Sequence, residues 1–108
     1  MEIKLMATVI DAHTAASMVK EHDVVLAGGF LACGAPEDLI DALVKKSTKN
    51  LTLVCICTDY PDRGVGKLIT NKQIKRCQTS HIGTNPETQK QFNEGILEIE
   101  FNPQGTIV

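Results

Sequence analysis

Residues 24–36 read VVLAGGFLACGAP, a hydrophobic run that breaks at Gly28, Gly29 and Gly34 and ends at a proline followed by the charged segment EDLIDALVKK. A glycine-rich turn between a strand and a helix bares backbone N–H groups beside the positive end of the helix dipole. That combination holds anionic oxygens, whether of a phosphate, a carboxylate or an oxyanion developing during a reaction. Two more segments share the pattern, SHIGTNPE at 80–87 and NPQGTIV at 102–108, each placing glycine among small polar residues ahead of an expected helix. Neither standard phosphate-binding motif fits: G-x-x-x-x-G-K-[ST] is absent, and GGFLACG lacks the G-x-G-x-x-G spacing. The residue types alone leave two readings, a ligand loop or tight-turn glycines that serve only backbone conformation.

The elements that must position these loops follow from periodicity and punctuation. Asp11 is suited to cap a helix over AHTAASMVKEH, with Ala15, Met18 and Val19 on one face. DVVLAGGF reads as a buried strand. Pro36 opens a second helix whose first turn carries Glu37 and Asp38. Leu39, Ile40, Leu43 and Val44 form its inward stripe, and Asp41, Lys45 and Lys46 face water. LTLVCIC has the continuous apolar character of a central parallel strand covered on both faces. TDYPDRGVG is a loop, GKLITNKQI holds a short helical turn, and IKRCQTSHI is a strand. Asn85, Pro86, Glu87 and Gly95 mark the start and stop of a further helix. Phe92 is that helix's only large apolar side chain, so it is expected to be loosely held or to lean on something outside the domain. ILEIEFN alternates as a half-exposed edge strand. Strands separated by crossover-length helices predict an α/β fold, an open, mostly parallel sheet with helices on both faces, whose ligands bind beyond the carboxyl ends of the strands.

A chain of 108 residues has room for one such domain. With 11 Lys and Arg against 13 Asp and Glu, no Trp and few other aromatics, it offers neither a basic field nor a stacking platform, so no nucleic-acid partner is expected. No apolar run approaches the roughly 20 residues of a membrane span, and no leader pattern is seen, so no membrane partner and a cytoplasmic location are expected. Cys55 and Cys57 alternate with apolar residues and no C-x-x-C pair occurs; both are expected as buried, reduced thiols rather than zinc ligands.

GGFLACGAP resembles the G-G-F-x-x-x-G-x-P signature of family I coenzyme A transferases, specifically the α subunit of the acetate, butyrate and acetoacetate type. SHIGTNPET and PQGT resemble the same subunit, in the same order, and the likeness runs from KLM near the start to the last residue. Glu21-His22 departs from the family's usual Asp or Asn followed by Gly or Asn. The resemblance implies a three-layer fold of the coenzyme A transferase and sugar-isomerase kind, truncated here. Residues 1–108 would be the N-terminal portion of the α-subunit domain, the remainder being absent. Lost cover over the last strand, Ile107 and Val108 would then favour association.

The resemblance also implies a chemistry. Coenzyme A moves from an acyl-CoA to a short-chain carboxylic acid through a glutamyl-CoA thioester, with CoA as substrate and no prosthetic group or metal. The nucleophilic glutamate belongs to a β subunit, and this chain carries no E-N-G motif for it. Gly28, Gly29, Phe30, Leu31, Ala32, Cys33 and Gly34 are assigned to CoA binding. In that assignment Gly28 and Gly29 admit the ligand, Gly34 turns the chain, and Phe30 either packs on the pantetheine arm or anchors the loop in the core. Gln104 matches the family glutamine beside the catalytic carboxylate, its alternative being a turn-stabilising amide. His81 is expected to make a structural hydrogen bond, Glu37 and Glu87 to complement helix dipoles, and Glu94 to be solvated. Two other functions stay open: a metabolite-sensing module, which would place basic residues such as Arg63 and Lys67 at the loop mouth, and an acyl-CoA hydrolase subunit.

Overall fold

The computed structural model describes residues 9–107; the KLM segment and Val108 lie outside them. Helix α1 (Ala12–Ser17) starts as its cap demands, Asp11 Oδ1 accepting the Thr14 N–H at 2.7 Å. It ends sooner than AHTAASMVKEH suggests, leaving Met18 in solvent and Ala16 as the buried residue. Its last carbonyls have a partner far away in sequence. The Lys46 ammonium donates to Ala16 O at 3.3 Å, Ser17 O at 2.8 Å and Val19 O, so a lysine that is exposed, as expected, also complements the negative end of α1.

Strands β1 (Val24–Leu26), β2 (Leu51–Val54), β3 (Ile74–Thr79) and β4 (Glu98–Phe101) lie in the order β1-β2-β3-β4, each pair parallel. Helices α2 (Glu37–Lys46), α3 (Gly66–Thr70) and α4 (Pro86–Asn93) make the crossovers, and α5 (Gln104–Ile107) follows β4. The open parallel α/β sheet expected from the sequence is therefore present. Because each right-handed crossover steps the same way, α2, α3 and α4 share one face, and α1 to α4 pack side by side in succession. Val25, Leu53, Cys77 and Ile99 form one row across the sheet toward these helices and pack in the core with Leu51, Leu68 and Ile69.

The second face is different. The rows Val24–Thr52–Arg76–Glu98 and Leu26–Val54–Gln78–Glu100 point away from the helix layer. There, among the described residues, Ile107 of α5 lines a groove with Leu26, Ala27, Val54 and Ile56. Consequently β1, read as a buried strand, is an edge strand with Val24 59% and Leu26 75% exposed. β2 buries Leu51 and Leu53 but only half-buries Thr52 and Val54. In α2 the buried residues are Ile40 and Leu43, whereas Leu39 is 45% exposed beside an apolar cavity shared with Ala15, Val19 and Leu26.

Helix α4 corrects a sequence expectation outright. It is not loosely held: it docks through polar side chains, Thr88 and Gln91 being buried along with its cap Asn85. Gln91 Nε2 donates to Ile69 O at 2.8 Å, and Thr88 pairs its hydroxyl with that of Thr58 at 3.1 Å. Phe92 instead meets Phe101 of β4 edge to face, with ring centroids 6.2 Å apart.

Candidate functional site

The carboxyl ends of the strands gather the loops singled out by sequence. In the β1–α2 loop, Phe30 and Cys33 exchange N–H···O bonds of 2.9 Å each, closing a two-residue turn whose central residues have positive φ, 49° at Leu31 and 67° at Ala32. Type I′ turns need this conformation and normally recruit Asn or Gly for it. Leu and Ala adopt it at a cost of about 1–2 kcal/mol each.

The glycines divide by role. At Gly29, φ is 122° and a Cβ would sit 3.1 Å from Ala35 N, so the loop itself demands glycine; at Gly34 a φ of 78° does the same. Gly28 has no such constraint, and a Cβ there would meet nothing within 4 Å. Gly28 is exposed, whereas Gly29 is half-buried. Phe30 is 55% exposed, which removes its reading as a core anchor, and Cys33 is exposed beside it, while Leu31 and Ala32 are half-buried.

Beneath this loop lies a buried polar assembly that sequence reasoning missed. Cys57 is a buried thiol as expected, but it is not merely a hydrophobe: Sγ accepts the Leu31 N–H at 3.5 Å and donates to Asp59 Oδ1 at 3.3 Å. Asp59 Oδ2 accepts the Val65 N–H at 3.1 Å, and the Asp59 carbonyl accepts the Thr84 hydroxyl at 2.6 Å. Asn85 Oδ1 caps α4 by accepting from Glu87 N and Thr88 N, while its Nδ2 donates to Thr58 O at 2.8 Å. Burial pushes the Cys57 thiol above its ordinary pKa, and the hydrogen bond with Cys77 does so for Cys55, so both remain protonated at neutral pH. TDYPDRGVG carried one usable signal of this assembly, an Asp ahead of G-x-G, where a carboxylate can replace absent side chains.

Other candidates separate clearly. Gln104 is exposed at the start of α5, and its amide makes no hydrogen bond to another described residue, so it is not stabilising a turn there. His81 extends the β2–β3 ladder by a bridge to Cys57, its carbonyl accepting Thr58 N–H. The expected structural hydrogen bond from its ring is not made among the described residues; the ring covers Gly83, where a Cβ would lie 2.7 Å from Nε2. Glu37 does more than complement a dipole, accepting the Gly64 N–H at 2.7 Å and the Lys67 ammonium at 2.6 Å. Lys67 also meets Asp41 at 2.7 Å, so it is not a free cation for a phosphorylated metabolite, whereas Arg63 lies over the Tyr60 ring and remains exposed. Glu94, the C-cap of α4, is solvated as expected. Among the described residues no three His, Cys, Asp or Glu side chains converge as a metal site, and no helix is long and apolar enough to cross a membrane.

A family model described as Coenzyme A transferase matches residues 9–108. The chain belongs to the coenzyme A transferase family. The chain is 48% identical over 92 residues to the acetoacetyl-CoA:acetate/butyrate CoA transferase alpha subunit of Clostridium acetobutylicum, covering 85% of the chain and 42% of that protein. It is 36% identical over 108 residues to the acetate CoA-transferase subunit alpha of Escherichia coli K12, covering 100% of the chain and 47% of the relative. The chain thus spans less than half the length of these curated relatives. Its fold matches an acyl-CoA transferase apoenzyme from Escherichia coli O157:H7 with a TM-score of 0.74 at 20% identity, over 90% of the chain and 20% of that structure. It matches the AibA/AibB decarboxylase at 0.67 and 14% identity, over 87% of the chain and 38% of that structure. The fold alone does not dictate the reaction.

Proposed function

We propose that this chain is the N-terminal portion of an α subunit that, with a β subunit, moves coenzyme A between an acyl-CoA (acetyl-, butyryl- or acetoacetyl-CoA) and a short-chain carboxylic acid, acetoacetyl-CoA, acetate and butyrate being the substrates named for its relatives. In this reading a β-subunit glutamate attacks the thioester carbonyl, forming an acyl-glutamyl anhydride and releasing CoA thiolate. The thiolate attacks the glutamyl carbonyl, which gives the glutamyl-CoA thioester and frees the first acid. The acceptor carboxylate then runs the two steps in reverse, regenerating the glutamate. The α chain contributes binding and preorganised N–H donors; loss of one such donor in other acyl-transfer sites costs about 2.7–4 kcal/mol.

The observation that carries this reading is Gly28, a glycine at the carboxyl edge whose missing side chain no part of the loop requires. Lys67, paired with both Glu37 and Asp41, weighs against a sensor of phosphorylated metabolites. Co-expression with candidate β subunits tests the proposal. Acetyl-CoA and butyrate should exchange CoA with the assembled pair and stay at background with this chain alone; robust turnover by the isolated chain would refute the two-subunit reading, and net release of free CoA would replace transfer by hydrolysis.

A further inference from the structure

We propose that the Cys57 thiol, oriented by Asp59, is the positioning group that holds the Leu31–Ala32 turn of the glycine loop in its left-handed conformation. The paired bonds between Phe30 and Cys33 close this turn without reaching either central N–H. The Leu31 N–H is directed out of the loop to Cys57 Sγ at 3.5 Å. Since an amide N–H can only donate, sulfur must accept there, and its own hydrogen is left for Asp59 Oδ1 at 3.3 Å.

Both relay members are fixed from behind. Cys57 is 1% exposed and its backbone bridges to His81. Asp59 is 2% exposed, with its second oxygen on the Val65 N–H. Space around that oxygen is so restricted that a Cβ on Gly64 would lie 2.1 Å from it. Among the described residues neither Asp59 oxygen meets a cation; each accepts from a hydrogen-bond donor, and loss of the thiol strips one oxygen of its donor. The turn's geometry is therefore imposed by the β2–α3 loop, which explains how Leu-Ala occupies a conformation that usually selects Asn-Gly. The link from this relay to turnover rests on the CoA-binding reading of the loop; the relay itself does not.

The test uses the assembled two-subunit enzyme carrying Cys57→Ala, Cys57→Val or Cys57→Ser, with amide hydrogen exchange of the loop measured in the absence of CoA and transfer kinetics measured alongside. Cys57→Ala should speed exchange at Leu31 by about tenfold and lower kcat by about the same factor, with KM for acyl-CoA moving less than about threefold. Cys57→Ser, whose hydroxyl both donates and accepts, should recover most of both losses. If the Ala variant fails to assemble, the apolar Val variant supplies the same comparison with its volume retained. Unchanged Leu31 exchange in a folded Ala or Val variant overturns the relay whatever the turnover, and so does a Ser variant as impaired as Ala. Faster exchange with unchanged turnover upholds the relay and removes the CoA role of the loop.

Discussion

At the carboxyl edge of the sheet, the β1–α2 loop leaves Gly28, Phe30, Cys33 and Gly34 in solvent, whereas the neighbouring β2–α3 and β3–α4 loops bury Thr58, Asp59 and Asn85 in a cross-bonded assembly with Thr88 of α4. Buried polar groups are tolerated only when satisfied, and here hydroxyl, carboxylate and amide satisfy one another and the backbone. The result is a stiff platform. The glycine loop above it is tied down at one weak sulfur contact and keeps its outer backbone free. Buried polar bonding resides in one region, and solvent-facing backbone in the other.

That contrast can be broken most severely at Gly66. A Cβ there would lie 1.8 Å from Tyr60 O and 2.7 Å from Asn85 Nδ2, so Gly66→Ala should destabilise the fold by at least about 3 kcal/mol, measured by urea unfolding of the assembled subunit. Wild-type stability for that variant would mean that the platform yields easily. Asn85→Ala should cost about 2–3 kcal/mol in the same assay, because two cap acceptances and the bond to Thr58 O vanish together.

Lys67→Met probes a milder tie. The hydrogen bonds to Asp41 and Glu37 raise the Lys67 pKa above its ordinary 10.5. A group whose pKa is raised by folding stabilises fully below its unfolded value and loses that contribution as pH rises through the folded value. The variant should therefore lose no more than about 1 kcal/mol at neutral pH, and its Tm should converge with wild type as pH climbs past 10.5. A gap that widens in alkali would contradict the assignment. Gly28→Val should have the smallest effect on stability, within about 0.5 kcal/mol, since open space surrounds the site. It should still lower CoA transfer by at least about tenfold; full activity would return Gly28 to an incidental turn residue.

Legibility followed the range of the interactions. The caps at Asp11 and Asn85 and the glycine stop at Gly95 were readable because each satisfies backbone groups a few residues away. The edge position of ILEIEFN was readable because alternation records a one-sided environment. The hold on α4 was not, because a stripe of Thr and Gln has no apolar periodicity; only the backbone of α3 and the hydroxyl of Thr58 reveal it as a docking face. Lys46 read as solvated, and it is exposed, but its tie to Ala16, Ser17 and Val19 was hidden because those acceptors lie at and just beyond the end of another helix.

The sequence by itself determined the parallel α/β architecture, the places where its loops converge and, through three ordered motifs, the family, since periodicity, caps and glycine spacing are local properties of the chain. Which glycine faces open space, which cysteine holds the loop and the pairing of Lys67 with carboxylates were decided only by the tertiary structure. Those outcomes depend on atoms 20 to 30 residues apart in sequence, such as Leu31 with Cys57 and Lys67 with Glu37, meeting at hydrogen-bond distance.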